Sequence, residues 1–178
     1  MDTNAHASSP KDFAVVLPGT KFLGSDPSGG EICDVAAVAA GAGLIVQLTV
    51  RLEDIRQRSA PDPGIELPAA AVRRLVRTVP HTRVLVTHAG REFIEEVHFG
   101  LTPEEARRVL WEVSWIWGPP EDHLALLLET IGIERFTFGT GMPLRIPDAA
   151  MAKVDLLEID EGGRERLMGK NLEEWSGL

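Results

Sequence analysis

The 178-residue chain has a single cysteine, Cys33. One thiol excludes an internal disulfide and points to a reducing compartment, so a cytoplasmic location is expected. Basic residues are few beside acidic ones: 18 Lys and Arg against 27 Asp and Glu, a formal net charge of -9 and a pI near 5.0. So acidic a chain repels a phosphate backbone, which excludes nucleic acid as a partner. No long apolar run is present. The longest, 35–46, is broken by Gly41 and Gly43 and is too short to cross a bilayer, so no membrane partner is expected. The opening "MDTNAHASSPKD" has neither a basic n-region nor an apolar h-region. It reads as a flexible arm over 1–12, not as a secretory signal. Gly24, Gly29 and Gly30 do not form G-x-G-x-x-G, and "GAG" at 41–43 precedes a strand instead of opening a helix. A nucleotide-binding fingerprint is therefore lacking. There is no internal repeat and no low-complexity tract.

What is present is an ordinary globular balance, 44% apolar and 25% charged, in a length that supports one sizeable core over 13–178. Strands and helices alternate. The expected strands are "FAVVLPG" (13–19), "LIVQLTV" (44–50), "RVLVTHAG" (83–90), "VLWEVSWIW" (109–117) and "RFTFGT" (135–140). Helices are expected over 31–40, closed by Gly41 and Gly43, and over 68–78. Another is expected in "EDHLALLLETIG", opened by Pro119 and Pro120 and closed by Gly132. Thr102 and Glu105 have the spacing of a capping box. Helices follow at 148–157 and 163–168, and Asn171 with Glu174 is expected to cap a last turn. Such alternation predicts parallel βαβ units in sequence order, with right-handed crossovers and the helices on the convex side. The near-continuous apolar strands fit a sheet buried on both faces.

In a parallel sheet the chemistry gathers at the carboxyl ends of the strands. There the chain offers Gln47, Thr49 and Arg51, with Glu53 and Asp54 just beyond; His88; Glu112 and Ser114; Gly139 and Gly141. Period-two alternation places Gln47, Thr49 and Arg51 on one face, and Val84, Val86 and His88 on one face. Each candidate also has a plainer reading. His88 can simply hydrogen-bond a neighbouring loop. Arg51, Glu53 and Asp54 can form a local ion pair in a solvated loop. An inward Glu112 needs a partner, and an arginine is expected. Trp111, Trp115 and Trp117 suit core and rim packing, and Cys33 suits packing on an Ala-rich helix. Glu158, Asp160 and Glu161 suit a solvated helix entry.

"HTRVLVTHAG", "WEVSWIWGPPEDHLALLLETIGIERFTFGTGMPL" and "GRERLMGKNLEEW" resemble, in order and spacing, the C-terminal part of amidohydrolase-related TIM-barrel proteins. That family contains metal-dependent hydrolases and decarboxylases. "FAVVLPGTKF" looks like its fourth strand and "LIVQLTVRLED" like its fifth. The resemblance implies a parallel (β/α) barrel of the TIM type, incomplete, with about five βα units, open or pairing with another chain. A complete barrel takes about 250 residues.

The resemblance also implies a site. The family surrounds a divalent metal, zinc or manganese, with a His-x-His pair on the first strand, histidines ending the fifth and sixth, and an Asp ending the eighth. The metal activates a water. This chain has no His-x-His. By resemblance Thr49 stands at the fifth-strand ligand position, His88 at the sixth, and Gly141 at that of the Asp. One histidine cannot hold a catalytic zinc, so metal binding is expected to be weak or absent. The catalytic candidates are then Gly141, as a lost position, with Arg51 and Glu112. Gly141→Asp is expected to be sterically tolerated. Two functions stay open: a metal-dependent hydrolase or decarboxylase with a degenerate site and a small-molecule substrate, or a non-catalytic barrel fragment serving binding or assembly. Open sheet edges invite a homo-oligomer that covers them.

Overall fold

A computed structural model describes residues 13–16, 30–54, 56, 66–118, 121–142 and 145–177. The expected N-terminal arm, Gly24, Gly29 and the Pro119-Pro120 helix start lie outside these residues. Five strands, β1 (Phe13–Val16), β2 (Ile45–Thr49), β3 (Val84–Thr87), β4 (Val109–Glu112) and β5 (Phe136–Thr137), form one sheet in sequence order. Every pairing is parallel; Thr49 stands beside Thr87 and Glu112 beside Thr137. The expectation of a parallel sheet in sequence order holds.

Strands β2, β3 and β4 carry apolar side chains on both faces, and the faces have different neighbours. Val46, Leu48, Val84, Val86, Val109, Trp111 and Phe136 belong to the main core. The helices α1 (Gly30–Gly41), α2 (Ala69–Thr78), α3 (Arg91–His98) and α5 (His123–Ile131) supply its other half. Their buried positions recur at helical spacing, as in Ala69, Val72, Leu75 and Val76 of α2. The short helix α4 (Pro103–Ala106) opens with the expected box: Glu105 N–H donates to Thr102 Oγ1, and Thr102 N–H to the Glu105 carboxylate. The helix-stop glycines Gly43 (φ 72°) and Gly132 (φ 103°) take the positive-φ conformations that such a stop needs. Helices α6 (Pro147–Asp155) and α7 (Glu161–Glu165) follow, and Asp160 caps α7 by accepting from Gly163 N–H.

The opposite face holds a smaller core of Ile45, Leu85 and Leu110. It is closed by Leu172 and Trp175 of α8 (Asn171–Ser176). This corrects the expectation that all helices lie on one side. Arg83, at the root of β3, donates to the Trp175 and Ser176 carbonyls and ties α8 across the strand N-termini. Asn171 is not the expected cap. A π-type turn, Arg166–Lys170, leads into α8, and the Asn171 amide donates to the Ile133 and Phe136 carbonyls.

Two strands end earlier than their apolar runs suggest. β4 stops at Glu112 because 113–116 form a turn, closed by Ile116 N–H on the Val113 carbonyl. The Lys153 ammonium then takes the Val113, Ser114 and Ile116 carbonyls. β5 is two residues long. Arg135 lies in a 3₁₀ turn, Ile133–Arg135, and Phe138 N–H goes to the Leu167 carbonyl.

Candidate functional site

At the carboxyl ends of the strands the inner face turns polar. Thr49, Thr87, Glu112 and Thr137 are all buried there. Their placement follows from register and from the period of two. Thr49 Oγ1 and Thr87 Oγ1 are 2.9 Å apart and hydrogen-bonded. The two Glu112 oxygens accept from Ser114: Oε1 from its backbone N–H at 2.5 Å and Oε2 from its hydroxyl at 2.7 Å. The partner of the buried Glu112 is thus a serine two residues on, not the expected arginine. Gly139 lies hard against this pair. A Cβ there would stand 2.5 Å from Glu112 Cγ.

His88 leaves the strand alternation. Its φ of 57° is left-handed, so it does not share a face with Val84 and Val86. Its ring stacks at 5.1 Å on Trp115, and its Nδ1 is 2.9 Å from the Arg51 carbonyl. Arg51 pairs with Glu66 at 3.1 Å and has its guanidinium 6.0 Å from the Trp115 ring. Asp54 pairs instead with Arg56, whose Nε and Nη2 donate to its two oxygens at 2.9 and 3.0 Å. Arg56 hydrogen bonding holds the Asp54 carboxyl well below the usual carboxylate range. Trp111 and Trp115 are buried and Trp117 is half exposed, the core and rim packing expected of them. Cys33 is buried in the main core.

Three residues that sequence reasoning missed complete the rim. Thr87 is the partner of Thr49. Arg145 lays its guanidinium 3.8 Å over the Trp115 ring, placed by a turn in which Arg145 N–H donates to the Gly141 carbonyl. Burial pushes the Arg145 pKa down. Lys153 reaches from α6 to the three loop carbonyls. Burial lowers its pKa to about 8, against the opposing pull of the Glu112 carboxylate. The available signal was a lone lysine between the buried Ala150 and Val154. For Arg145 there was none beyond its closeness to the "GTGMP" turn.

Gly141 has φ 67°, and a Cβ there would stand 2.8 Å from Ser114 Oγ and 2.9 Å from Arg145 Cγ. The expected tolerance of Gly141→Asp is therefore corrected: the serine that holds Glu112 would have to move, and the backbone is strained for any L side chain.

A divalent metal does not fit these donors. Thr49 is turned to Thr87, both Glu112 oxygens accept from Ser114, and Gly141 brings no side chain, which leaves the His88 ring, held through Nδ1 on the Arg51 carbonyl, as a single ligand where a catalytic site needs three. Among the described residues no group of three His, Cys, Asp or Glu side chains could hold a metal ion. Nor, among them, is any helix long and apolar enough to cross a membrane.

No protein-family model matches the chain, and no curated protein matches it in sequence. Solved structures do match in fold. An uncharacterized TIM-barrel protein from Bordetella bronchiseptica is 16% identical with a TM-score of 0.67; the match covers 92% of this chain and 58% of that one. The 5-carboxyvanillate decarboxylase of Sphingomonas paucimobilis gives 16% and 0.64, over 93% and 58%. The 2,6-dihydroxybenzoate decarboxylase of Rhizobium gives 14% and 0.63, over 93% and 62%. A dihydroxybenzoic acid decarboxylase from Polaromonas, 13% identical, was solved with manganese bound. The chain thus spans about 60% of the length of the structures it matches, and its fold is that of an incomplete TIM barrel.

Proposed function

We propose that the strand tips bind a small aromatic carboxylate without a catalytic metal, in a site related to those of the metal-dependent decarboxylases and hydrolases but degenerate. The observation that carries this reading is the state of the donors. At the positions expected to serve a metal, Thr49 is hydrogen-bonded to Thr87, Gly141 brings no side chain and only the His88 ring, held through Nδ1 on the Arg51 carbonyl, remains; the nearby Glu112 is held by Ser114. Recruiting Thr49 or Glu112 to a cation would cost a hydrogen bond each, and one imidazole alone does not hold a catalytic metal.

Recognition has a separate basis. The Arg145 guanidinium lies 3.8 Å over the Trp115 ring, and its fork of N–H donors suits bidentate contact with a carboxylate. Arg145, Trp115 and Trp117 line one cavity of about 270 Å³ with Ser114 and Ile146, and Trp117 offers an exposed indole for stacking. The decarboxylases of like fold are named for single-ring aromatic acids, which sets the class to try first.

Tryptophan fluorescence of the full chain, titrated with 2,6-dihydroxybenzoate, tests this. Binding is expected to be the same with manganese or with EDTA, and at least about tenfold weaker in Arg145→Ala, the loss of a charged, bidentate hydrogen bond. Stoichiometric manganese that survives dialysis, with release of carbon dioxide from the acid, would overturn the reading. So would binding that ignores Arg145→Ala.

A further inference from the structure

The helix layer carries an open groove of about 800 Å³ between α5 and α6, ending at the start of α7. Helix α5 packs mainly on α3 and on the Ile133–Arg135 turn, which leaves its α6 side open. The lining is apolar in Leu124, Ala125, Leu128, Leu157 and Ile159. Leu156, also lining it, is 66% exposed, a large apolar side chain left in water.

The charges around this groove have one sign. Asp122, Glu129, Glu158 and Asp160 line it, and all four are exposed. None of them forms an ion pair among the described residues. Among the described residues Lys153 is the only basic one in the lining, and its ammonium is turned away to the Val113, Ser114 and Ile116 carbonyls. An apolar trough edged by three carboxylates without ion pairs, and by Asp160 whose carboxylate also caps α7, is complementary to one kind of surface: an apolar stripe flanked by cations.

We propose that this groove docks a basic amphipathic helix of a partner protein. Its apolar face would cover Leu128, Leu156 and Leu157, and its Lys or Arg residues would meet Glu129, Glu158, Asp122 and Asp160. A second copy of the chain is the wrong occupant. Two-fold pairing through this face sets four carboxylates against four, on a chain already at -9. Gly118, Lys153 and Leu156 also line the Arg145 cavity, whereas Glu129 and Glu158 line the groove and not that cavity, so the Glu129→Lys, Glu158→Lys pair separates this proposal from the strand-tip reading.

The probe is a fluorescein-labelled 18-residue helical peptide with Leu at i, i+3, i+4 and i+7 and Lys elsewhere. Its control has Glu in place of every Lys. Fluorescence anisotropy with the full chain is expected to show the Lys peptide binding at least tenfold more tightly than the Glu peptide. Binding should weaken severalfold between 50 and 500 mM salt, as exposed charges are screened. Leu156→Asp is expected to weaken it about tenfold, and Glu129→Lys with Glu158→Lys by at least as much. These positions are exposed, so circular dichroism should report unchanged folds. The proposal is overturned if neither peptide binds, if both bind alike, or if Leu156→Asp leaves Lys-peptide binding unchanged, which would mean a general acidic surface. It is also overturned if sedimentation shows a dimer that Leu156→Asp dissociates, which would make the groove a self-interface.

Discussion

At the N-terminal ends of the strands the inner sheet face is Ile45, Leu85 and Leu110, closed by Leu172 and Trp175. Two residues further along the same strands, on the same face, it is Gln47, Thr87 and Glu112, with Thr49 and Thr137 beside them. One pleated surface therefore has an oily end and a polar end. The oily end is held by burial, which is non-directional and scales with area. The polar end is held by short hydrogen bonds that each need a particular partner. The difference divides the sheet: α8 plugs the apolar end, and the tips opposite it carry the polar side chains.

Breaking the oily end should have the largest effect. Leu110 is fully buried between Leu85 and the α8 side chains. Leu110→Ala removes that packing and leaves a cavity, at a cost of about 3 kcal/mol. Urea unfolding should show the midpoint fall with an unchanged slope. A loss below about 1 kcal/mol would mean that α8 collapses onto the gap or is not seated there.

At the polar end the next effect is one of pH. Burial lowers the Lys153 pKa from 10.5 to about 8. Below pH 8 both folded and unfolded chains hold this proton, so Lys153 adds no slope. Between pH 8 and 10.5 the unfolded chain holds it and the folded chain sheds it, so the Lys153 contribution makes stability rise with pH. The chain has no tyrosine to mask this window. Urea midpoints at pH 7, 8, 9 and 10 should climb above pH 8 in the native chain relative to Lys153→Met. The rise should stay below the Leu110→Ala loss, because the group is partly open to solvent. Parallel curves for the two proteins would show that Lys153 titrates as in water.

The two ends also differ in how far the sequence disclosed them. Strand order, direction and helix stops were legible, because apolar runs, Gly132 and the Thr102–Glu105 box are local signals. The side on which α8 packs was not: six residues of mixed polarity look alike whether they cover one face of a sheet or the other. Strand-end positions such as Thr49 and Glu112 were legible from alternation, but their partners were not. Ser114 satisfies Glu112 only because the chain turns at 113–116, and that turn depends on Lys153 from a helix some forty residues on. His88 escaped for a backbone reason. A left-handed φ on a residue other than glycine carries no sequence mark, yet it decides which way the ring faces. Gly141 was judged by its missing carboxylate, while Ser114 and Arg145 decide what a side chain there would meet.

The smallest effect sharpens the comparison by making the polar end resemble the oily one. Thr137 is 2% exposed, it stands beside Glu112 in the sheet, and its Oγ1 has no hydrogen-bond partner among the described residues. A buried hydroxyl without a partner has lost its water and gained nothing in return. Thr137→Val keeps the branched shape and the strand preference, and removes only the hydroxyl. No other polar group is orphaned by the change, so the usual penalty for deleting half of a hydrogen bond does not arise. The variant should therefore be unchanged or more stable, by up to about 1 kcal/mol, read as a small upward shift of the urea midpoint. Glu112 and Ser114 keep their own bonds, so 2,6-dihydroxybenzoate binding should not change. A loss of stability above about 1 kcal/mol would show that Thr137 Oγ1 does have a partner, such as a buried water shared with Glu112. The polar network would then reach sideways from β4 onto β5 at the level of Glu112.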